Sequence, residues 1–167
     1  MSDAAPAVVR RGSVDQPRDV EALAALRYAW CSGEGGESGE LADFAPAFAD
    51  WWRAHADSHL PFIAYASEAP HGSAIGMAWL GVLNRIPGPE RFLRRSGMVQ
   101  SVYVTPAARN RGVGAALLTA VIAEARALRL GYVAVHPSAQ SFPLYRRAGF
   151  ADTSGVLELA VAEPRRP

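Results

Sequence analysis

Two arginines and two glycines, Arg109, Arg111, Gly112 and Gly114, stand close together with no acidic residue among them. Ahead of them lies a β-branched and aromatic run in which Val99, Ser101 and Tyr103 alternate with Gln100, Val102 and Val104, the pattern of a strand buried on at least one face. Pro106 stops that strand, a turn covers Ala107 to Arg111, and the glycines lead into a helix. Strand, basic turn, glycines and helix start together suit the holding of a phosphate group. The first amides of a helix have no partner inside it, and the macrodipole adds partial positive charge at the same end. Gly112 and Gly114 carry no Cβ, so an anion can come close to the backbone. Arg109 and Arg111 can add charge-assisted, bidentate hydrogen bonds. The competing reading is plain turn chemistry.

Neither common nucleotide pattern fits. A Walker loop needs a Lys after its second Gly, and the chain contains no Lys; a dinucleotide fingerprint needs a third Gly, where Leu117 stands. The whole string V-x-V-x-P-x-x-R-x-R-G-V-G-x-x-L-L, Val102 to Leu118, resembles the acyl-CoA-binding signature of the GNAT superfamily of N-acyltransferases, in which R/Q-x-x-G-x-G/A binds the CoA pyrophosphate. Arg109, Gly112 and Gly114 are the matching residues. Further on, L-Y-R-R-A-G-F at Leu144 to Phe150 is similar to the family's second recurrent segment.

The resemblance implies an α/β (α+β) fold, a mixed central β-sheet flanked by helices in the order β-α-α-β-β-β-α-β-α-β. It implies acetyl-CoA as co-substrate and no metal. Pantetheine is then expected in a gap between the central strand and the next parallel strand, against Val102, Tyr103 and Val104. Arg109, Asn110, Arg111, Gly112, Val113, Gly114 and Ala115 are expected to hold the pyrophosphate, with Ser138, Ser141 and Tyr145 also touching CoA. Tyr145 matches the family tyrosine beside the sulfur and is the expected general acid; the alternative is that its ring merely packs on CoA. Many relatives carry a Glu early on the central strand, whereas Gly97-Met98-Val99-Gln100 has no carboxylate. His136 is the best substitute base by chemistry, a capping or surface histidine being the other reading. Ser138 stands where many members have Asn, with fewer donors to offer. The implied activity is transfer of acetyl from acetyl-CoA to an amine, a small molecule or a peptide N-terminus, by direct attack in a ternary complex. A CoA-binding sensor or scaffold without turnover is the alternative, and homodimer formation is left open.

The elements that must position these residues can be read along the chain. A strand is expected at Ala7–Val14, then a helix from Pro17 to about Gly33 with Asp15 as cap and Asp19 and Glu21 at its positive end. Ser32 to Glu40 reads as a glycine- and glutamate-rich connector. A second helix, Leu41–His55, carries Phe44, Phe48, Trp51 and Trp52, a stripe that belongs to the core or to the acceptor cleft. His55 and His59 do not meet the HExxH pattern, since Ala56 stands at the Glu position. Strands are expected at Leu60–Ser67 and Ser73–Leu83, followed by a loop, Asn84–Ser96, whose Arg91, Arg94 and Arg95 suit an acidic acceptor or the 3′-phosphate of CoA. After the central strand come a helix to Arg129 ended by Gly131, a strand Tyr132–Val135, a short helix Ala139–Ala148 capped by Gly149, and a last strand Val156–Val161.

At 167 residues the chain is expected to form a single domain, 1–167, with 1–6 and 162–167 as flexible tails. A net charge of +1 excludes the strong basic excess of a nucleic-acid binder. From Arg91 to Ala123, however, there are five arginines and no acid, a local bias that suits an anionic ligand. Cys31 is the only cysteine, which rules out an internal disulfide and leaves a nucleophile without an adjacent base. There is no signal-peptide core and no uncharged run near the roughly 20 residues that span a bilayer, so a cytoplasmic location and no membrane partner are expected.

Overall fold

The computed structural model describes residues 7–32, 38–66 and 72–152. Five strands, β1 (Val8–Arg11), β2 (His59–Tyr65), β3 (Ala74–Arg85), β4 (Arg94–Val104) and β5 (Val133–Val135), form one sheet in chain order. All neighbours are antiparallel except β4 and β5, which are parallel. The helices are α1 (Pro17–Ser32), α2 (Ser38–His55), α3 (Val113–Ala127) and α4 (Phe142–Arg147).

Period-two alternation sorts the strand residues between two cores. Leu60, Phe62 and Ala64 of β2 and Ala78 and Leu80 of β3 share one buried cluster with Val113, Leu117, Leu118 and Val121 of α3. Their neighbours Ile63, Tyr65, Met77 and Trp79 share the other cluster with Leu23 and Leu26 of α1 and Phe48 and Trp52 of α2. Trp79 meets Phe48, Trp51 and Trp52 edge-on, at centroid distances of 6.0, 6.2 and 5.6 Å, a favoured aromatic geometry. Phe48 and Trp52 of the α2 stripe, together with Trp79, are therefore core, while Trp51 stays partly exposed at its rim.

Several boundaries move from their expected places. β1 is shorter because Gly12 turns the chain, its amide donating to Pro61 O at 2.9 Å. α1 opens on the carbonyl of Gln16, which accepts from Val20 at 3.2 Å, and not on an Asp15 cap. α2 begins three residues earlier than Leu41. The largest change is in the expected loop Asn84–Ser96: β3 and β4 stay paired out to Arg85↔Arg94, so only residues 86–93 turn the hairpin. α3 ends at Ala127 in a Schellman arrangement, with Leu130 donating to Ala125 O at 3.0 Å and Arg129, not Gly131, in the left-handed conformation at φ 55°. Gly149 does the expected work after α4, at φ 95°. Val156–Val161 and both expected tails lie outside the described residues.

Asp19 does more than complement a helix dipole. Its carboxylate is fully buried and accepts from Arg10 Nη1 at 2.7 Å, the Ser13 amide at 2.9 Å and the Tyr65 hydroxyl at 2.9 Å. Burial pushes this carboxyl up, but the Arg10, Ser13 and Tyr65 hydrogen bonds outweigh it and hold the group below the ordinary carboxylate range. Breaking a buried pair costs about 3–5 kcal/mol; since Arg10 stays nearly half exposed, Asp19→Asn is expected to cost roughly 2–3 kcal/mol. A depressed pKa stabilises the fold above the unfolded value, and that contribution is lost as pH falls through the folded one. Urea midpoints should therefore differ most at neutral pH and converge in acid.

Candidate active site

The parallel ladder between β4 and β5 lasts three pairs, Gly97↔Val133, Met98↔Ala134 and Val99↔Val135. β4 runs on to Val104, bonded there to β3 alone among the described residues. One edge of Gln100–Val104 is thus left open beside a strand that has already turned away.

A bulge sits in this stretch. Met77 pairs with Tyr103 and Trp79 with Gln100, so Ala78 faces both Ser101 and Val102. Ser101 takes φ 53°, a conformation that non-glycine residues avoid. The extra residue flips the faces: Val102 and Val104 pack on the same cluster as Val99, while Tyr103 packs on the opposite one. Uninterrupted alternation through Tyr103 and Val104, expected from the sequence, does not hold. Arg27 of α1 donates to Ser101 Oγ at 2.9 Å, its guanidinium 4.6 Å above the Trp30 ring. Sequence reasoning missed this pair; the signal was a charged residue inside the α1 stripe Leu23, Leu26 and Trp30. Ser101→Val puts a β-branched side chain at positive φ and is expected to lower stability by about 2 kcal/mol, read from the urea midpoint.

Beyond β4, a 3₁₀ turn at Pro106–Ala108 reverses the chain. Arg109 Nε donates to Val104 O at 3.1 Å, which ties its guanidinium to the strand end. Asn110 at φ 59° and Gly112 at φ 80° bring the backbone into α3. A Cβ built on Gly112 meets nothing within 4 Å. The Ala116 amide donates to Gly112 O at 3.0 Å, and the amides of Val113, Gly114 and Ala115 have no backbone acceptor among the described residues. Val113 is buried and anchors this end, while Arg111, Gly112 and Ala115 are exposed. These residues fit a diphosphate: free donors, two neighbouring guanidinium groups and room for an oxygen where Gly112 lacks a side chain. At Gly114 the missing side chain has a different use, since a Cβ there would lie 3.3 Å from Leu144 Cδ2 and hold α4 off α3.

Tyr145 of α4 is buried in the α3 cluster, its ring edge-on to Phe150 at 5.5 Å. Its hydroxyl makes no hydrogen bond among the described residues, and burial pushes the phenol up from its ordinary range. Val102, Val104, Val135 and Leu144 pack at the margin of the same cluster, so β4's open edge, the end of β5 and Tyr145 are brought together. His136 follows the last β4–β5 pair and is exposed. Ser138 and Ser141 are bonded to each other, Oγ to Oγ at 3.0 Å, and the Ser141 and Phe142 amides both donate to Ser138 O at 3.0 Å, which starts α4. Gly97 is crowded: a Cβ there would lie 2.9 Å from both Leu80 Cδ1 and Leu130 Cδ1, so any side chain must displace the two leucines. A hollow of about 460 Å³ lies elsewhere, between the β1–α1 turn and the end of α2, and none of the signature residues lines it. The signature rests on backbone donors along an open edge, for which an enclosed cavity is not required. No described helix is long and apolar enough to cross a membrane.

The model of the acetyltransferase (GNAT) family matches residues 23–150. No curated protein matches the chain. Among solved structures, a predicted acetyltransferase with acetyl-CoA from Clostridium acetobutylicum is similar with a TM-score of 0.70 at 21% identity, covering 96% of this chain and 100% of that one. A GCN5-related N-acetyltransferase from Ralstonia eutropha JMP134 is similar with a TM-score of 0.65 at 25% identity, over 94% and 100%. AAC(6')-Iy in complex with the bisubstrate analog CoA-S-monomethyl-acetylneamine gives 0.69 at 20% identity, over 95% and 99%.

Proposed function

The chain belongs to the acetyltransferase (GNAT) family, and from that premise we propose that it transfers the acetyl group of acetyl-CoA to an amine by direct attack in a ternary complex. The observation that carries this reading is the open edge of β4 between the last β5 pair and the Gly112 turn, with Tyr145 packed against the same cluster. In it, Arg109, Asn110, Arg111 and the amides of Gly112 to Ala115 hold the diphosphate, and Val102, Tyr103 and Val104 hold the pantetheine arm. Ser138 and Ser141 border it.

The amine nitrogen forms a bond to the thioester carbonyl carbon, and the C–S bond then breaks. A backbone amide near Val102 stabilises the developing oxyanion, a contribution typically worth about 3 kcal/mol. Tyr145 gives its proton to the departing thiolate; burial makes its phenol a weaker acid than usual, so the transfer to a thiolate is uphill but feasible in a dry site. The proton released by the amine goes to His136, directly or through water. The acceptor is a small-molecule amine or a peptide N-terminus; the structural neighbour holding an acetylneamine conjugate of CoA supports the first of these.

The test is thiol release from acetyl-CoA across a library of amines. Release with at least one amine is expected; tight CoA binding without release from any would favour a sensor or scaffold.

A further inference from the structure

A second basic site lies at the other end of β4. Arg85 and Arg94 face each other directly across β3 and β4, a like-charge pair that is destabilising unless something negative sits nearby. Among the described residues, none of Arg85, Arg91, Arg94, Arg95 and Arg129 is in an ion pair, although Glu90 stands in the same hairpin turn. These five and Tyr132 line a pocket of about 110 Å³ between the β3–β4 hairpin and the end of α3.

Neutral acceptors hold three of the guanidinium groups in place. Arg85 Nη1 donates to the Tyr132 hydroxyl at 2.6 Å, Arg95 Nη2 to Leu128 O at 2.7 Å and Arg94 Nη1 to Ile86 O at 3.2 Å. Having accepted from Arg85, the Tyr132 hydroxyl keeps its own proton to donate. Arg91 and Arg129 make no side-chain hydrogen bond or ion pair among the described residues. Arg129 adds an independent observation. It occupies the left-handed position that closes α3, φ 55°, where glycine is the favoured residue and any other costs about 1 kcal/mol. A guanidinium is kept there against the local backbone preference.

We propose that this pocket binds a phosphate group, carried by a small metabolite or by a lipid headgroup. Planar guanidinium forks match phosphate oxygens bidentately, and convergent positive charge in a pocket with no acidic residue in its lining selects a multiply charged anion. The group is not one of the phosphates of the CoA bound at Gly112. β4 begins at this pocket and ends at the glycine turn, and its 11 residues separate the two sites by roughly 30 Å at about 3.3 Å per residue. Ile86, Phe92 and Leu93, at 84%, 77% and 82% exposure, belong to the same hairpin turn and suit the lipid source.

The experiment is calorimetry with inorganic pyrophosphate, with the Gly112 site already saturated by CoA, on the full chain and on Arg94→Ala, Arg129→Gly and Arg109→Ala. A parallel arm measures co-sedimentation with phosphatidylcholine vesicles with and without phosphatidic acid. Arg94→Ala and Arg129→Gly should each weaken binding about tenfold, whereas Arg109→Ala, at the other site, retains it. Arg129→Gly should melt no lower than the parent, because glycine suits φ 55°, so its loss of binding cannot be a folding defect. Binding of either probe with this variant pattern supports the site and identifies the source. Binding of neither, or binding lost only in Arg109→Ala, overturns it.

Discussion

Tyr145→Phe should lower kcat by roughly 10²–10⁴-fold, the usual worth of a positioned general acid, with KM for acetyl-CoA and the melting temperature little changed. The hydroxyl has no partner among the described residues, so its removal orphans nothing. The ring keeps its packing on Phe150 and the α3 cluster. Burial pushes the phenol up, so it stays protonated throughout the neutral range. Activity that depends on that proton falls only on the alkaline side, as pH passes the raised pKa. The parent enzyme should show this alkaline limb and the Phe variant should lack it. Full turnover in Tyr145→Phe would reduce the residue to a packing role.

Gly112→Val has the second large effect, and here binding and folding can be separated. At φ 80° any side chain is strained, at a cost of about 1–2 kcal/mol. The added Cβ itself clashes with nothing, since it meets no atom within 4 Å. The valine instead occupies the space through which a diphosphate reaches the free amides. Acetyl-CoA affinity should fall by about a hundredfold, some 2.7 kcal/mol, a loss greater than the stability change alone. Gly112→Ala should show the same strain with a smaller affinity loss. Equal CoA affinity in parent and variants, with only the melting temperature lowered, would leave Gly112 a turn residue and nothing more.

The layers are legible in the sequence because β2 and β3 are apolar runs of the kind buried on both faces, and the α3 stripe Leu117, Leu118 and Val121 has helical spacing. The sequence also placed the turn from Pro106 to Gly112 and the cap at Gly149. It misled at Ser101, because one inserted residue inverts every side chain after it, and nothing in a serine announces positive φ. The true faces were hidden in the apolar set Val99, Val102 and Val104, which no single period accounts for. The segment beyond Leu83 reads as loop in the sequence because Pro87, Gly88 and Pro89 are poor strand formers. Backbone pairing to Arg85↔Arg94 overrides that preference and gathers the arginines at the far end from the signature. Gly131 was the obvious terminator of α3, yet Arg129 takes the left-handed position. In the sequence Asp19 reads as an acid complementing a helix start; only the fold brings Arg10 and Tyr65 around it.

The central claim is that the amides opening α3 grip the diphosphate of CoA. Titrating the ¹⁵N-labelled protein with acetyl-CoA and following the amide resonances of Gly112, Val113, Gly114 and Ala115 tests it directly. The account predicts large, saturable shifts at these four, with Val102 and Val104 moving in the same titration. Shifts confined to other parts of the chain, or an unchanged spectrum at high acetyl-CoA, would contradict it.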